Sequence, residues 1–272
     1  MLVALIICVL ATAPAIALFA MTRKLDKKEK ESPSLLIKIA LMELPFLIAT
    51  IIAEGVMQGI MTGVSGADMN NIGYVIIFCF LVVGPAEELF KFLGARIPTW
   101  KSPEFNCKFD GIVYCTTSAL VFAFVENLIY VVGSGTPLVT GIMRAVCCFP
   151  GHFMYGVLMG VFYSKSKIAD RFGNKKKKHL NTFLAILVPA LVHGLYDSIV
   201  FSITPILAEL DGARGAYETQ LIIELLILVG LLILVLAGTY ICLFVTVIKQ
   251  SKTDFFFAPK YSKKKKAPAP QE

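Results

Sequence analysis

Two patterns in the sequence combine carboxylates with a cation or an imidazole at helical spacing. Glu87 and Glu88 precede Lys91 by four and three residues, so one lysine can neutralise either carboxylate on a single helix face. His193 and Asp197 are also four residues apart, which places an imidazole and a carboxylate together. Groups of these types accept and donate protons, and histidines with a carboxylate also bind zinc. The spacing therefore predicts acid–base or metal chemistry.

Three more polar residues extend this set. Glu126 and Asn127 are adjacent within a later apolar stretch and offer a carboxylate and an amide. Arg144 follows in the next stretch, where its guanidinium could pair with a carboxylate or hold a peptide carbonyl. A charged side chain in mid-membrane costs ~2.5–3.5 kcal/mol on insertion scales. These groups are therefore expected to be paired, protonated or in contact with a wet cavity.

Proline and glycine accompany two of the candidate positions. Pro85 lies just before the paired glutamates, and Pro150 lies just before His152. Each proline removes a backbone hydrogen bond and leaves a carbonyl free for water or substrate. Gly156 and Gly160 continue the helix face of His152, and this stripe predicts the close approach of a neighbouring helix.

The elements that must position these residues are predicted to be membrane-spanning helices. Hydrophobic residues make up 57% of the chain and charged residues only 17%, which excludes an ordinary soluble domain. The net charge of +7 comes from lysines and arginines between apolar stretches, which indicates contact with the bilayer surface and not with nucleic acid. Seven stretches can cross a hydrocarbon core of ~30 Å: 2–21, 35–61, 72–97, 111–132, 138–163, 181–207 and 221–248. The predicted fold class is all-α, a polytopic transmembrane helix bundle of about seven spans.

The positive charges predict an orientation. Segments 22–34, 164–180 and 249–272 hold 5, 7 and 7 lysines and arginines, whereas alternate gaps hold only Arg214. This asymmetry places the N-terminus outside and the C-terminus inside, with the first span an uncleaved anchor. We divide the chain into a bundle at 1–248 and a basic cytoplasmic tail at 249–272 that is predicted to be disordered.

Depth within the spans brings the candidates together. At ~1.5 Å per helical residue, Glu87, Glu126, His152 and His193 each lie ~20–22 Å into their helices, in the middle third of the bilayer. Residues from four helices can thus converge in a core at about 72–207. Three other glutamates in apolar stretches have no partner at helical spacing, and we interpret them as structural or interfacial: Glu43, Glu54 and Glu224. The cysteines lie mostly in apolar stretches, and we interpret them as small core residues.

Four blocks in this core resemble the PrsW family of intramembrane proteases. Glu87-Glu88-Leu89-Phe90-Lys91 matches its E-E-x-x-K motif. Phe109-Asp110-Gly111-Ile112-Val113-Tyr114 and Phe122-Ala123-Phe124-Val125-Glu126-Asn127 resemble its F-D-G-x-V-Y and F-x-x-x-E motifs. Arg144, Pro150-Gly151-His152 and His193-Gly194-Leu195-Tyr196-Asp197 resemble its later histidine motifs. The match covers about residues 72–200 and departs at Cys115, where a glycine is expected. The family is distantly similar to the CaaX-prenyl endopeptidases and bacteriocin-processing enzymes.

The resemblance implies an intramembrane endopeptidase, a multi-pass protein of the cell membrane that cuts a membrane-anchored protein such as an anti-sigma factor. The implied catalytic residues are Glu87, Glu88, Glu126, His152 and His193, with Lys91, Asn127, Arg144 and Asp197 in support. Besides this protein substrate and the lipid bilayer no partner is implied, and nucleic acid is not expected.

Two mechanisms and two other functions stay open at this point. In the first mechanism Glu87 or Glu88 activates water without any cofactor, and the histidines polarise the carbonyl or protonate the amine. In the second, His152, His193 and a carboxylate hold one divalent metal such as zinc, although no His-Glu-x-x-His motif is present. A proton-coupled transporter would use the same buried groups, but the sequence shows no two-fold repeat. A non-proteolytic scaffold would tolerate substitution of the polar residues.

Overall fold

The computed structural model describes residues 2–210 and 212–258, and the side chains within them apart from those of residues 2–8, 10 and 11. In this part of the chain the regular elements are helices, with one isolated antiparallel β-bridge between Cys107 and Phe256. The helices are α1 (Leu2–Leu25), α2 (Pro33–Ser65), α3 (Ile72–Phe78), α4 (Gly84–Thr99), α5 (Asp110–Gly133), α6 (Pro137–Met143), α7 (Phe149–Arg171), α8 (Lys175–Leu210) and α9 (Ala216–Lys252). The all-α prediction is confirmed.

Six continuous helical segments in the described part are long and apolar enough to cross a membrane. They are Pro33–Ser65, Ile72–Thr99, Asp110–Gly133, Pro137–Arg171, Lys175–Leu210 and Ala216–Lys252. Each contains one stretch predicted from hydropathy, and its ends differ from the predicted ends by a few residues in most cases. The first predicted span falls in α1, which is not one of these six segments. The count of about seven spans therefore stays a prediction, as does the orientation.

Local sequence explains where the early helices begin and end. The Ser32 side chain accepts a hydrogen bond from the backbone N–H of Leu35, and Pro33 occupies the first turn of α2, where no N–H is needed. Gly66, at φ 69°, ends α2 in the left-handed conformation and donates its N–H to Thr62 O. The Asn71 side chain then caps α3.

π-Helical segments interrupt two of the spans, immediately before candidate residues. Cys79–Val83 joins α3 to α4, with Pro85 just after it, and Arg144–Cys148 joins α6 to α7, with Pro150 just after it. A π turn inserts one residue into the helix and changes the face on which later side chains lie. The helix is therefore irregular just before each of the two prolines near which the sequence predicted local weakening, and its face changes there.

The centre of the bundle is the contact between α5 and α7, because small residues let the two backbones meet. A Cβ atom at Gly160 would lie 2.5 Å from Ile112 Cα, and one at Gly156 would lie 2.9 Å from Ala119 Cβ. The predicted close approach along the His152 face is confirmed. In α2, by contrast, the last buried residue is Thr50.

Residues after α9 contact the segment that precedes α5. Lys108 N donates to Phe255 O at 3.1 Å, and Phe257 N donates to Asn106 O at 2.9 Å. Because α9 ends at Lys252 and residues 259–272 lie outside the described part, the division at 248 and the disorder of the tail stay predictions.

Candidate active site

A cavity of about 480 Å³ lies between α2, α4, α5, α7 and α8, next to the π-helical segment before α7. Its charged and imidazole-bearing lining residues are Glu54, Glu87, Glu126, Arg144, His152, His193 and Asp197. The structure thus brings four of the five predicted catalytic residues, and two of the supporting ones, to one space inside the membrane-spanning bundle. The fifth, Glu88, lies behind its wall.

Lys91 connects three of the candidates. Its Nζ lies 2.8 Å from Glu87 Oε2, 2.9 Å from Glu88 Oε1 and 3.0 Å from His152 Nδ1, and its side chain is fully buried. An ammonium group can only donate, so Nδ1 of His152 accepts from it. The Nε2 atom of a neutral His152 then carries the ring proton, 3.0 Å from Glu126 Oε2.

His193 lies between carboxylates. Its Nδ1 is 2.9 Å from Glu88 Oε1, and its Nε2 is 3.1 Å from Asp197 Oδ2 and 3.8 Å from Glu87 Oε2. Ionised carboxylates only accept hydrogen bonds, so the contacts of His193 are satisfied when both ring nitrogens carry hydrogen. The ring stacks on Tyr155, with centroids 4.6 Å apart, which fixes its plane.

Glu126 is paired with Arg144 as well as with His152. Arg144 Nη2 lies 2.8 Å from Glu126 Oε1, and Arg144 Nε donates to Asn127 Oδ1 at 2.7 Å. The arginine enters from the π-helical segment before α7 and stacks over Tyr130, with its guanidinium carbon 3.9 Å from the ring centroid. The predicted supporting residues Asn127 and Arg144 thus orient the carboxylate that faces His152.

The two adjacent glutamates differ in position. Glu87 lines the cavity, whereas Glu88 is fully buried against Lys91 and His193. Successive residues on a helix point about 100° apart, so only one of such a pair can face a given space. α8 packs closely on the π-helical segment Cys79–Val83, since a Cβ atom at Gly194 would lie 2.9 Å from Cys79 O. This contact completes the cavity wall behind which Glu88 lies.

The donor set fits a divalent metal ion. Glu87, His152 and His193 each offer one ligand atom, and these atoms lie within 4.8 Å of one another. One carboxylate and two histidines match a catalytic zinc site, which keeps a fourth position for water. The charge also fits, because the carboxylates outnumber the fixed cations. Among the described residues Lys91 contacts Glu87 and Glu88, and Arg144 contacts Glu126, whereas neither cation pairs with Glu54 or Asp197.

Glu54 is the cavity residue that the sequence interpretation missed. We took Glu43 and Glu54 as structural or interfacial; Glu43 is indeed buried against Ser118, but Glu54 lines the cavity. Gln58, four residues later on the same face of α2, lines the cavity too. That pair of polar residues, in the mostly apolar second half of α2, was the signal available in the sequence.

Comparison with known proteins agrees with the motif resemblance. A family model described as PrsW family intramembrane metalloprotease matches residues 31–249. The protein named Protease PrsW of Clostridioides difficile (strain 630) is 38% identical over 128 residues, which is 46% of this chain and 52% of that protein. The one of Oceanobacillus iheyensis (strain DSM 14371 / CIP 107618 / JCM 11309 / KCTC 3954 / HTE831) is 34% identical over 130 residues, 48% of this chain and 57% of that protein.

A third relative, Protease PrsW of Shouchella clausii (strain KSM-K16), is 28% identical over 198 residues, 71% of this chain and 82% of that protein. For the first two relatives, the chain spans little more than half of their length. No solved structure shows a significant match.

Proposed function

The chain belongs to the PrsW family of intramembrane metalloproteases, and on that premise we propose that it is an endopeptidase that hydrolyses a membrane-anchored protein within the bilayer. The observation that carries the proposal is the convergence of Glu87, His152 and His193 on one cavity between membrane-spanning helices. Three donor groups on separate helices, each held by a further charged group, suit proton transfer at a fixed point.

Peptide hydrolysis needs a base for water, a group that stabilises the oxyanion and a donor for the leaving amine. We assign the base to Glu87, because it lines the cavity while Glu88 does not. Water attacks the carbonyl carbon as Glu87 takes its proton. The C–N bond then breaks as the amine nitrogen receives a proton.

The histidines are assigned to the other two roles. His193, with a carboxylate next to each ring nitrogen, can hold two ring protons and is the proton donor to the amine. His152 presents its Nε2 proton beside Glu126 and is placed to polarise the carbonyl. Glu88 orients His193 through Nδ1, Glu126 orients His152 through Nε2, and Lys91 holds Glu87 and Glu88 in place.

A metal ion would be held by Glu87, His152 and His193, and its chemistry would be to lower the pKa of a bound water and to polarise the peptide carbonyl. Zinc is the ion that this donor set suits best. Without a metal, His152 Nδ1 has Lys91 Nζ as a partner and His193 Nε2 has Asp197, so both mechanisms use this one constellation.

The proposed substrate is a protein anchored in the same bilayer, since the reacting groups lie inside the bundle. In the cell membrane, a membrane-anchored anti-sigma factor is the substrate that the family resemblance implies. Its cleavage would release the anti-sigma domain from its membrane anchor.

The test is a comparison of membrane proteomes from cells that carry wild-type protein, Glu87→Gln or Glu224→Gln. Glu224 is a matched control, because it is a membrane-segment carboxylate that contacts Gln220 and does not line the cavity. We expect a truncated single-pass protein in wild-type and Glu224→Gln cells that is absent from Glu87→Gln cells. The same fragments in all three would contradict the proposal and favour a scaffold or a transporter.

The metal question is tested on purified protein in liposomes. If a metal takes part, a chelator abolishes cleavage, added zinc restores it, and near-stoichiometric metal is lost in His152→Ala and His193→Ala. Cleavage that persists in chelator and still requires Glu87 indicates the metal-free route.

A further inference from the structure

Glu54 presents an unpartnered carboxylate to the cavity. It lies on the stripe of α2 that lines this space, together with Leu47, Thr50, Ile51 and Gln58. Its Oε1 atom is buried and makes no hydrogen bond to any described residue. Glu54 also interacts electrostatically with Glu87, Glu126, His193 and Asp197, so it lies near the reacting groups.

The other carboxylates of the cavity have partners. Glu87 lies 2.8 Å from Lys91, Glu126 lies 2.8 Å from Arg144, and Asp197 lies 3.1 Å from His193. Among the described residues no cation lies within ion-pair distance of Glu54. It is also outside the set of Glu87, His152 and His193, whose ligand atoms converge.

A lone carboxylate inside a membrane is stable only when a proton, water or a cation neutralises it. None of the described cations pairs with Glu54, so a ligand that brings one gains an interaction that costs no existing contact. A substrate that enters this space can supply that charge.

The position of Glu54 in α2 favours contact with a substrate segment. Within α2, buried residues end at Thr50, and residues 51–65 are half-buried or exposed, so other helices cover this half of α2 only sparsely. The Tyr74 hydroxyl nevertheless fixes it, because it donates to Gln58 O at 3.1 Å and lies 3.0 Å from Thr62 Oγ1. A chain that reaches the reacting groups from this side passes Glu54.

We propose that Glu54 is a specificity-determining residue that binds a lysine or arginine side chain of the substrate, next to the bond that is cut. The proposal rests on the proposed endopeptidase function and names the substrate chemistry of the same cavity. Binding replaces the proton or water on the carboxylate by a cation, and no covalent step is involved.

The test uses single-span reporter proteins with a leucine–alanine membrane segment, in which one position at a time carries Lys, Gln or Glu. Each reporter is reconstituted in liposomes with wild-type protein, Glu54→Gln, Glu54→Lys or the control Glu224→Gln. At one position, we expect wild type and Glu224→Gln to cleave the Lys reporter with kcat/KM roughly 10-fold above the Gln reporter, mainly through KM. The ratio falls to about 1 in Glu54→Gln, and Glu54→Lys prefers the Glu reporter.

The outcomes separate the two proposals. Glu87-dependent cleavage by wild type with no position at which Lys is preferred, or with a Lys preference that persists in Glu54→Gln, overturns the role of Glu54 and leaves the peptidase in place. Equal processing by wild type and Glu87→Gln overturns the peptidase and the role of Glu54 together. If a Glu54 variant does not fold, the comparison of Lys and Glu reporters in wild type alone decides, because the Glu reporter must then be the poorest substrate.

Discussion

Two clusters of buried carboxylates lie at different levels of the bundle and are stabilised in opposite ways. The cavity cluster consists of Glu87, Glu88, Glu126 and Asp197, and cationic or imidazole groups lie between its members. The loop cluster consists of Asp26, Glu31, Asp110 and Asp254, where the end of α1, the start of α5 and the residues after α9 meet. All four residues of the loop cluster are buried.

Backbone N–H groups and a phenol are the main partners in the loop cluster. Asp110 Oδ2 accepts from the N–H groups of Asn106 and Cys107 at 2.9 and 2.6 Å. The Tyr114 hydroxyl donates to Glu31 Oε2 at 2.5 Å. Asp254 Oδ1 accepts from Phe109 N at 2.8 Å, which ties the residues after α9 to the start of α5.

Burial nevertheless raises the proton affinity of carboxylates in the loop cluster. Burial raises the pKa of Glu31 to about 8, against the smaller effect of the Tyr114 hydrogen bond, and the nearby Asp26 and Glu104 raise it further. Burial also raises the pKa of Asp26 to about 6, although Lys30 and Arg23 oppose the shift. One cluster thus keeps its charges by placing cations among them, whereas in the other burial raises the pKa of the carboxylates. The first should respond to deletion of a charge, and the second to pH.

The largest expected effect is that of Lys91→Met, because this lysine contacts three members of the active site at once. Removal of one partner from a buried ion pair typically costs ~3–5 kcal/mol, since the other charge is left uncompensated. We expect a loss of stability of that order, together with loss of cleavage. Denaturant unfolding of the purified protein measures the first and a reporter assay the second.

The matched control for this prediction is the double variant Glu87→Gln with Lys91→Met. It removes a carboxylate along with the cation, so it should be more stable than Lys91→Met alone while it stays inactive. Equal stability of the single and double variants would show that the Lys91–Glu87 contact contributes little.

A smaller effect should separate the adjacent glutamates. Glu87→Gln keeps the shape of the side chain but removes its basicity, and we expect cleavage to fall by ~10²-fold or more with the fold intact. Glu88→Gln weakens the hydrogen bond that orients His193 but leaves the base that activates water in place, so we expect the cleavage rate to fall by ~10-fold. The reporter assay measures both rates. A larger loss in Glu88→Gln than in Glu87→Gln would reverse the assignment of the base.

Much of the cavity cluster could be predicted from the sequence because its contacts repeat along single helices or at equal depth. The pairs Glu87–Lys91 and His193–Asp197 follow from a spacing of four, and the structure places each pair in contact. His152 and Glu126 share only a depth in the bilayer, yet that was enough to expect them in one cavity. The approximate positions of the spans followed from apolar length.

Contacts between distant segments could not be predicted in this way. Local spacing does not reveal that Glu54 faces groups on α4 and α8, nor does it tell which of Glu87 and Glu88 points into the cavity. The loop cluster joins residues 26, 110 and 254, which no periodicity relates. Its members are polar residues outside or at the ends of apolar stretches. The sequence pattern does not distinguish such residues from solvated loop residues.

The smallest expected effect is a pH dependence of stability that originates in the loop cluster. When the folded-state pKa of an acid is raised, the folded protein binds the proton more tightly than the unfolded chain, so stability falls as pH rises between the two pKa values. For Glu31 this window runs from about 4.5 to about 8, and for Asp26 from about 3.8 to about 6. The detergent-solubilised protein should therefore melt at a lower temperature at about pH 8.5 than at about pH 5, by several degrees.

Glu31→Gln tests this origin, because the amide cannot ionise and resembles the protonated acid in shape. We expect the variant to retain a melting temperature near that of the wild type at low pH and to lose part of the decline above pH 6, since Asp26 titrates earlier. Asp68→Asn is the matched control, an exposed acid in the α2–α3 loop whose replacement should leave the wild-type decline unchanged. An equally steep decline in Glu31→Gln and in the wild type would place the pH-sensitive group elsewhere. It would also remove the contrast between a cluster in which burial favours protonation and one that retains its charge.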